Sequence, residues 1–396
     1  MKKRLPLPSF RLQNFKAVRD SGQVKFGPLT VFIGNNGSGK SSLIEGLETF
    51  RDIVLEGLDH AMARWRGFEH VRNLGVKHEF RRLLDHRPHY TNPITFRASM
   101  LFETYGVKAK QEINIGEGGN DLFIQYEQVI RKGIRTTERI TRNAYGKQLL
   151  SIDTKVDRFN VKTMEVSPQF SDGRSILNDM IGPHLERWQF LALAPDDMGQ
   201  PVSQQRAAGK IRLAKNGANI AEYLNEIRKL DLDAFNGVVD ALRFVLPYLS
   251  DIQPTLTSEL ERAFYLKLKE EEFEVPGWLL STGTLRLAAL LACLRHPEPP
   301  PLLVVEEIEN GLDPRTLQLL VAEIQATIEA GTTQVILTTH SPYLLDLLHL
   351  SHIVVVERDG NEPKFRRPDN EKELRTWAKE FSLGQLYTMG RLAREK

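Results

Sequence analysis

A glycine-rich octapeptide that lies between an apolar segment and a helix-like segment constrains this chain most. It reads GNNGSGKS over residues 34–41 and fits the pattern G-x-x-x-x-G-K-[ST]. The apolar residues Leu29, Val31, Phe32 and Ile33 before it predict a strand, and the spacing over residues 42–54 after it predicts a helix. Glycines allow a loop to curl until consecutive N–H groups point at one anion, and a helix N-terminus adds its positive dipole end. The stretch therefore predicts a strand, a loop and a helix that bind the phosphates of a nucleotide.

The side chains of this loop have different expected tasks. Lys40 supplies a positive charge for the phosphates, and Ser41 supplies a hydroxyl ligand for Mg²⁺, which prefers oxygen donors. The alternative, a chance glycine-rich turn, is disfavoured because the segments on both sides fit. The predicted nucleotide-binding residues are Asn35, Asn36, Gly37, Ser38, Gly39, Lys40, Ser41 and Ser42.

Length and composition limit the class of protein. The chain has 396 residues, of which 41% are hydrophobic and 26% charged, as in a globular protein with two or three lobes. The single cysteine, Cys293, lies in an apolar stretch, so the sequence offers neither a disulfide nor a cysteine-based metal site. The sequence contains no apolar run of about 18 residues, and Pro6 and Pro8 interrupt the segment after the basic start. We therefore expect a cytoplasmic protein that is not embedded in a membrane.

Charge is balanced in total but not along the chain. Lys and Arg number 53 and Asp and Glu 51, yet residues 64–87 carry seven basic residues against three acidic ones, and residues 131–147 carry six against one. Such segments suit contact with a nucleic-acid backbone, although a solvated surface is the usual alternative. The clustered histidines His70, His78, His86 and His89 could suggest a metal site, but without regular ligand spacing a solvated or anion-binding face is the better interpretation.

Segment patterns divide the chain into four predicted parts. Residues 1–55 hold short strands and the phosphate loop, as the first part of a nucleotide-binding domain. Residues 56–160 form a basic lobe with the alternation of antiparallel strands, and residues 161–276 form a helical insertion with connecting strands, including a helix capped by Asp233. Residues 277–396 complete the nucleotide-binding domain. Apolar strands alternating with a helix in this last part predict an α/β fold with a doubly wound sheet.

Three further motifs occur in the last part of the chain, each beside an apolar segment. LSTGT at residues 280–284 directly precedes a strongly apolar helix. LLVVEEIENGLDP at residues 302–314 is an apolar strand that ends in two carboxylates, and TTHSP at residues 338–342 follows another apolar strand. Taken alone, the carboxylates could form a solvated acidic turn and the histidine could be an ordinary neighbour of a helix cap. Their shared context in a chain with a phosphate loop favours one site.

These motifs resemble those of ATP-binding-cassette (ABC) ATPases, and among them the RecF/SMC-like ATPases that act on DNA. GNNGSGKS resembles Walker A, LSTGT the signature motif, LLVVEE the Walker B strand, GLDP the D-loop and TTHSP the switch-histidine loop. The resemblance is strongest over residues 10–54 and 277–358. It implies a P-loop NTPase fold of the ABC type, with a mixed sheet and helices, an antiparallel β lobe and a helical insertion.

The resemblance also implies roles for particular residues. Glu307 would orient the water that attacks the γ-phosphate of ATP, and His340 would contact that phosphate. Glu306 would join Ser41 in holding hydrated Mg²⁺, and Asp313 would belong to the D-loop. The family usually has Asp-Glu where this chain has two glutamates, so the metal role of Glu306 is the less secure. The Q-loop glutamine stays open between Gln189 and Gln200.

The signature motif implies a second copy of the chain. Ser281, Gly283 and Thr284 would present a hydroxyl, a backbone N–H and a helix N-terminus to ATP held by the other subunit. A site of this kind is complete only in a dimer. ATP would therefore drive homodimerisation and hydrolysis would release it, because the γ-phosphate contributes only to the closed state.

Two functions of different kinds follow from these expectations. The first is a Mg²⁺-dependent ATPase whose ATP-driven dimer acts on DNA in repair, chromosome maintenance or anti-phage defence. The second is a nucleotide-sensing regulatory module that controls a separately encoded effector, such as a nuclease or a toxin. Only 56 residues follow His340 (396 minus 340), too few for a typical appended catalytic domain. A transporter ATPase subunit is disfavoured by the long insertion between phosphate loop and signature and by the lack of a usual LSGGQ sequence.

Overall fold

The computed structural model describes residues 5–77, 79–83, 86–116, 121–133, 136–143, 148–154, 157–166, 174–204, 210–258 and 260–392. The chain forms two compact units. The first unit consists of residues 1–27, 32–187 and 354–367, and the second unit consists of residues 28–31, 188–353 and 368–396.

Strands and helices occur in both units. The strands are β1 (Ser9–Phe15), β2 (Val18–Asp20), β3 (Val24–Lys25), β4 (Leu29–Ile33), β5 (Phe80–Leu83), β6 (His86–Tyr90), β7 (Ile94–Leu101), β8 (Gly106–Ile115), β9 (Leu122–Lys132), β10 (Thr136–Asn143), β11 (Gln148–Thr154), β12 (Asp157–Val166), β13 (Gln189–Leu191), β14 (Val202–Ser203), β15 (Asp251–Leu256), β16 (Ala263–Lys269), β17 (Glu274–Pro276), β18 (Leu302–Val305), β19 (Gln334–Thr338), β20 (Ile353–Asp359) and β21 (Glu362–Arg366). The helices are α1 (Lys40–Glu56), α2 (Leu58–Ala63), α3 (Asn178–Leu185), α4 (Pro195–Met198), α5 (Ile220–Leu230), α6 (Leu232–Val245), α7 (Thr282–Leu294), α8 (Pro314–Ala330), α9 (Pro342–Asp346), α10 (Lys372–Trp377) and α11 (Leu383–Thr388).

An antiparallel sheet is the main element of the first unit. Its strand order is β12-β11-β10-β9-β8-β7-β1-β2, and β3 also pairs with β1. Every neighbouring pair along this path is antiparallel, with Ile94 opposite Ile113 in the pair β7–β8. Alternating apolar residues let such strands bury one face, as Val107 and Ala109 do in β8. The predicted antiparallel β lobe is therefore confirmed.

Helix α1 follows the phosphate loop and packs on the sheet of the first unit. The ring of Phe50 lies 6.3 Å from that of Phe10 in β1 and 6.1 Å from that of Phe96 in β7. Gly46 lets the helix come close to β1, because a Cβ at this position would be 2.4 Å from Leu12 Cδ2. The predicted helix after the loop is confirmed. Because its buried face packs on this sheet, the position of its first turn in the first unit is fixed.

Parallel strands organise the second unit. β13 pairs with β18 and β18 pairs with β19, both in parallel, with Leu302 opposite Gln334. The N–H of Val335 donates to the carbonyl of Pro28, 2.8 Å away, just before β4. Because parallel strands end at the same sheet edge, the residues after β18 and β19 come together. The parallel strands that the α/β prediction requires are therefore present in the second unit.

The cap of α6 differs from the sequence-based expectation. Asp231, not Asp233, is the N-cap, and its Oδ1 accepts a hydrogen bond from the N–H of Ala234 at 3.0 Å. Asp233 instead lies within the first turn, where a negative charge still suits the helix dipole. Both aspartates fit the sequence rule for a helix start, and the extended backbone of Asp231, with φ −156°, makes it the cap.

Among the helices in the described residues, none has the length and apolar character needed to cross a lipid bilayer.

A buried ion pair lies inside the antiparallel sheet. Arg142 in β10 and Glu127 in β9 are 2% and 0% exposed, and Nη1 lies 3.7 Å from Oε2. Ser175 and Gln111 donate hydrogen bonds to the same carboxylate at 2.5 Å and 2.7 Å. Burial raises the pKa of Glu127, while these hydrogen bonds and Arg142 oppose that shift. The pair is therefore expected to matter more for stability than an exposed pair of the same sheet.

We predict that Glu127→Ala lowers the free energy of unfolding by about 3–5 kcal/mol, because it removes the carboxylate that faces a buried guanidinium. The matched control is Glu138→Ala, which removes the partner of the more exposed Arg131, 3.6 Å away, and should cost less than about 1 kcal/mol. Urea unfolding followed by circular dichroism measures both. Equal losses in the two variants would show that burial adds nothing to the Glu127 pair.

Candidate functional site

The phosphate loop in the first unit is built on glycines that lie close to β20 and β21. Gly34 has φ 146°, and a Cβ there would lie 2.1 Å from the carbonyl oxygen of Val356 in β20. Gly39 has φ 110°, and its Cβ would lie 2.6 Å from Pro363 Cγ in β21. Both positions therefore require glycine for space as well as for conformation.

The loop ends at a helix start that is open to an anion. Gly39 is the N-cap of α1, so no side chain caps the first-turn N–H groups. The Lys40 amine donates to the carbonyls of Gly34 and Asn35 at 2.7 Å and 3.1 Å, and this residue is only 7% exposed. A positive helix end and a fixed ammonium group thus meet at one loop, which suits a phosphate group.

Other loop residues fit a nucleotide and its metal. Ser38 is 4% exposed, and its Oγ is buried without a hydrogen-bond partner in the part of the chain that the structure describes. A bound phosphate oxygen would satisfy this hydroxyl. Asn35, Asn36, Gly37 and Ser41 are exposed and Ser42 is half-buried. The exposed Ser41 hydroxyl, in the first turn of α1, is an oxygen donor of the kind that Mg²⁺ takes beside phosphates.

Two carboxylates follow β18 in the second unit. The N–H of Glu306 donates to the carbonyl of Leu191 at 3.0 Å, which continues the pairing with β13. Glu307 has φ 48°, a left-handed conformation that costs a non-glycine residue about 1–3 kcal/mol. Its exposed carboxylate accepts a hydrogen bond from Asn310 Nδ2 at 2.5 Å. The chain thus turns sharply at Glu307 and exposes its carboxylate.

The backbone of Glu307 is hydrogen-bonded on both sides. Its N–H donates to Thr338 Oγ1 at 2.8 Å, and its carbonyl accepts from Arg286 Nη2 at 2.8 Å. The half-buried His340 follows β19, and its N–H donates to Glu309 Oε1 at 2.6 Å. The ends of β18 and β19 therefore bring Glu307, Glu309 and His340 into one group of residues.

The signature residues form the start of α7. Ser281 is the exposed N-cap, and its Oγ accepts from the N–H of Thr284 at 3.1 Å and lies 2.8 Å from Thr284 Oγ1. Thr284 is 7% exposed. A Cβ on Gly283 would lie 2.4 Å from the carbonyl oxygen of Gly311. The signature and the D-loop therefore pack together, and this contact requires glycine at residue 283.

Asp313 is the N-cap of α8. Its Oδ1 accepts from the N–H groups of Arg315 and Thr316 at 2.9 Å and 3.1 Å. The hydroxyl of Thr316 also donates to Oδ2 at 2.6 Å, and this bond is the main reason why the pKa of Asp313 is lowered. The D-loop aspartate is therefore held by its own helix.

Three residues in or beside the group at the ends of β18 and β19 have no role assigned by the motifs. Arg286 contacts Glu307, and Glu309 contacts His340. Thr338 lies in TTHSP without an assigned role. A sequence signal existed for Arg286, which is a lone charge in an apolar helix. Of the Q-loop candidates, Gln189 is half-buried and donates to the carbonyl of Leu213 at 2.7 Å.

Three arginines of the basic segments are ion-paired within the first unit. Arg64 pairs with Glu48 at 2.8 Å, Arg131 pairs with Glu138, and Arg142 pairs with Glu127. His78 lies outside the described residues, as do residues 134–135 and 144–147, and so does the side chain of His86. The count of basic residues therefore overstates the charge that these segments present to a nucleic acid.

A glycine loop on an uncapped helix N-terminus, with a buried lysine, defines a P-loop nucleotide-binding protein. Two family models match the chain: "AAA ATPase domain" over residues 7–54, and "AAA domain, putative AbiEii toxin, Type IV TA system" over residues 161–346. The first match contains the phosphate loop, and the second contains the signature, Glu307 and His340. Both matches agree with the predicted ATPase over the residues that they cover.

Solved structures of SMC head domains are similar to the chain. One is an SMC head bound to the C-winged helix domain of ScpA, with 15% identity, a TM-score of 0.46, and coverage of 91% of this chain and 96% of that chain. Another is the SMC head domain from Thermotoga maritima, with 15% identity, a TM-score of 0.41, and coverage of 92% and 99%. A third, from Pyrococcus furiosus, is an SMC head with an extended coiled coil bound to the C-terminal domain of ScpA, with 14% identity, a TM-score of 0.47, and coverage of 94% and 99%. No curated protein matches the sequence.

We predict that Gly34→Ala destabilises the first unit more than Gly37→Ala does. Gly37 has φ 73° and open space around its missing Cβ, so alanine there should cost only the left-handed conformation, about 1–2 kcal/mol. Alanine at residue 34 must in addition displace the β20 backbone at Val356. Denaturant unfolding of both variants measures the difference. Similar losses would mean that the close approach of Val356 does not limit residue 34.

Proposed function

We propose that the chain is a Mg²⁺-dependent ATPase that forms a homodimer on ATP binding and acts on DNA. The observation that carries the proposal is the phosphate loop: α1 begins without a side-chain cap, directly beside the buried Lys40 amine. The AAA ATPase family models that cover this loop and the Glu307 region support ATP as the ligand.

In this mechanism the loop residues hold the triphosphate. The N–H groups at the start of α1 bind phosphate oxygens, and the Ser38 hydroxyl donates to another. The Lys40 ammonium is already fixed by two loop carbonyls, so little reorganisation is needed when the anion arrives. Mg²⁺, when bound with the nucleotide, neutralises phosphate charge, and Ser41 and Glu306 are the residues that would hold it.

Glu307 and His340 supply the hydrolytic groups. The Glu307 carboxylate accepts a hydrogen bond from water and orients its oxygen towards the γ-phosphorus. The bond from water oxygen to phosphorus forms while the bond to the ADP oxygen breaks, and the water proton passes to the carboxylate. His340 donates a hydrogen bond to a γ-phosphate oxygen. The fixed backbone of Glu307 and its exposed side chain support this assignment.

The exposed signature supports a dimer. Ser281 is the exposed N-cap of α7, and its hydroxyl can donate outward while its oxygen caps the helix. In the proposed dimer this hydroxyl and the N–H groups of α7 bind the γ-phosphate of ATP in the other subunit. ATP then links the two copies, and its hydrolysis removes the link.

Basic and aromatic side chains on the first unit support contact with DNA. An open cavity of about 430 Å³ is lined by Lys77, Arg81, His89 and Tyr90 together with one acidic residue, Glu79. Arg72 lies over the ring of Tyr90, 5.7 Å from its centre. Cations bind a phosphodiester backbone, and an aromatic face stacks on a base.

A regulatory module for a separate effector is the second candidate. The description of the model that matches residues 161–346 names a toxin and a toxin–antitoxin system, which favours a role in switching such an effector. The same ATP-driven dimer would then bind a partner protein instead of DNA. A nuclease or toxin gene beside this gene, and co-purification of its product, would support this candidate.

We predict that Lys40→Ala abolishes ATP binding, and that Glu307→Gln keeps binding but lowers hydrolysis by about 100-fold or more. The reason is that Lys40 contacts the ground-state phosphates, whereas Glu307 acts on the attacking water. Fluorescent-nucleotide titration and phosphate release measure the two steps. Lys25→Ala and Glu329→Gln, at exposed residues outside the motifs, are the matched controls. Wild-type hydrolysis by Glu307→Gln would exclude Glu307 as the catalytic carboxylate.

We predict that Glu307→Gln sediments as a dimer with ATP and as a monomer without it, and that Ser281→Asp in the same background abolishes the ATP-dependent dimer. Aspartate also caps α7 but places a negative charge towards the partner's γ-phosphate. Ser382→Asp, at the N-cap of α11, makes the same change away from the signature and should dimerise normally. Analytical ultracentrifugation measures the dimer.

DNA titration of the same Glu307→Gln dimer over a salt series decides between the two candidates. Affinity that falls steeply as salt rises supports the DNA function. A dimer that forms with ATP but binds neither duplex nor single-stranded DNA excludes this function and favours the effector.

A further inference from the structure

The peptide groups on both sides of Glu307 are bound by side chains to which the motifs assign no role. Thr338 Oγ1 accepts the N–H of Glu307, and Arg286 Nη2 donates to its carbonyl, each at 2.8 Å. Thr338 is 2% exposed and Arg286 is 5% exposed. These two contacts therefore hold a residue in a left-handed conformation that its own side chain disfavours.

The Arg286 guanidinium binds two carbonyls at once. Nη1 donates to the carbonyl of Leu193 at 2.9 Å while Nη2 donates to that of Glu307. A planar guanidinium offers donors in a fixed fork, whereas a lysine ammonium is a point charge that does not reproduce this geometry. Arg286 thus ties the turn at Glu307 to the segment after β13.

Burial of Arg286 is unfavourable and calls for a reason. Its Nε is buried without a hydrogen-bond partner among the described residues. Burial also lowers the pKa of Arg286, while the charges of Glu307 and Glu309 oppose the shift. A leucine here would fit the apolar pattern of α7 without this loss. The contact with Glu307 supplies a functional reason for a charged residue.

We propose that Arg286 and Thr338 are positioning residues, which fix the backbone of Glu307 so that its carboxylate faces the attacking water. The inference depends on the proposed catalytic role of Glu307. Neither residue touches the reacting atoms. Their loss should lower the rate of the chemical step and leave ATP binding at the phosphate loop unchanged.

The first test is Arg286→Lys, which keeps the charge but not the fork. We expect kcat to fall by about 100-fold, with the Kd for ATP changed by less than about threefold, because misplacement of a catalytic group by roughly 1 Å has an effect of this size. Arg295→Lys is the matched control. Arg295 follows the same helix, and its Nη1 donates to the carbonyl of Gly237 at 2.9 Å while its other nitrogens bind Glu323. A similar fall in kcat for both variants would overturn the inference.

The second test is Thr338→Val compared with Thr338→Ser. Valine has the shape of threonine without the acceptor for the Glu307 N–H, and serine restores that acceptor. We expect Thr338→Val to lower kcat by about tenfold or more and Thr338→Ser to recover most of it. A general loss of packing would follow side-chain size instead and would affect serine more than valine. This result would overturn the role of Thr338, and the test holds even if Arg286→Lys does not fold.

The third test uses single-turnover rates in the Glu307→Gln background. If Arg286 acts through the Glu307 carboxylate, Arg286→Lys should lower the residual rate by less than about threefold there, because residues that act as a unit are not additive. A full additional loss would refute the positioning role. Wild-type activity of Glu307→Gln alone would refute the proposed function instead, so the two failures are distinguishable.

Discussion

The left-handed backbone of Glu307 is the constraint on which the group of residues in the second unit depends. The buried strand β18 ends one residue before Glu306, and the chain must turn at once to expose a carboxylate. A glycine would adopt this conformation without strain but would carry no carboxylate. The strain is therefore offset by hydrogen bonds to both neighbouring peptide groups, from Thr338 and Arg286. Residue 307 thus combines a carboxylate side chain with a left-handed backbone, and these two features rarely occur together.

The phosphate loop solves the opposite problem. It needs close backbone approach and no side chain, so glycine is sufficient at residues 34 and 39. The positive charge comes instead from Lys40 and from the start of α1. Glycine geometry and a following lysine are encoded within eight consecutive residues, whereas the support of Glu307 comes from residues more than 20 positions away on either side. The phosphate loop and the Glu307 turn thus differ in how local their determinants are.

This difference explains how much of the fold and site could be predicted from the sequence. The segments β4, α1, β18 and β19 were predictable because continuous apolar runs and the loop pattern are local signals. Arg286 and Glu309 were missed because their partners, the Glu307 carbonyl and the His340 N–H, are backbone groups that no side-chain pattern reveals. The cap of α6 was assigned to Asp233 instead of Asp231 for a similar reason, since only the backbone angles distinguish the two.

In the signature, single residues can meet a requirement of the subunit's own fold and a requirement of the proposed dimer. Gly283 leaves room for the carbonyl of Gly311, and Ser281 caps α7, so both residues have a reason to be present in a single subunit. In the proposed dimer the exposed Ser281 hydroxyl would also face a phosphate held by the second copy. Loss of activity on substituting either residue would thus have two explanations. A substitution that keeps the cap and changes only the charge separates them, because helix stability depends on the cap whereas attraction to an anion depends on the charge.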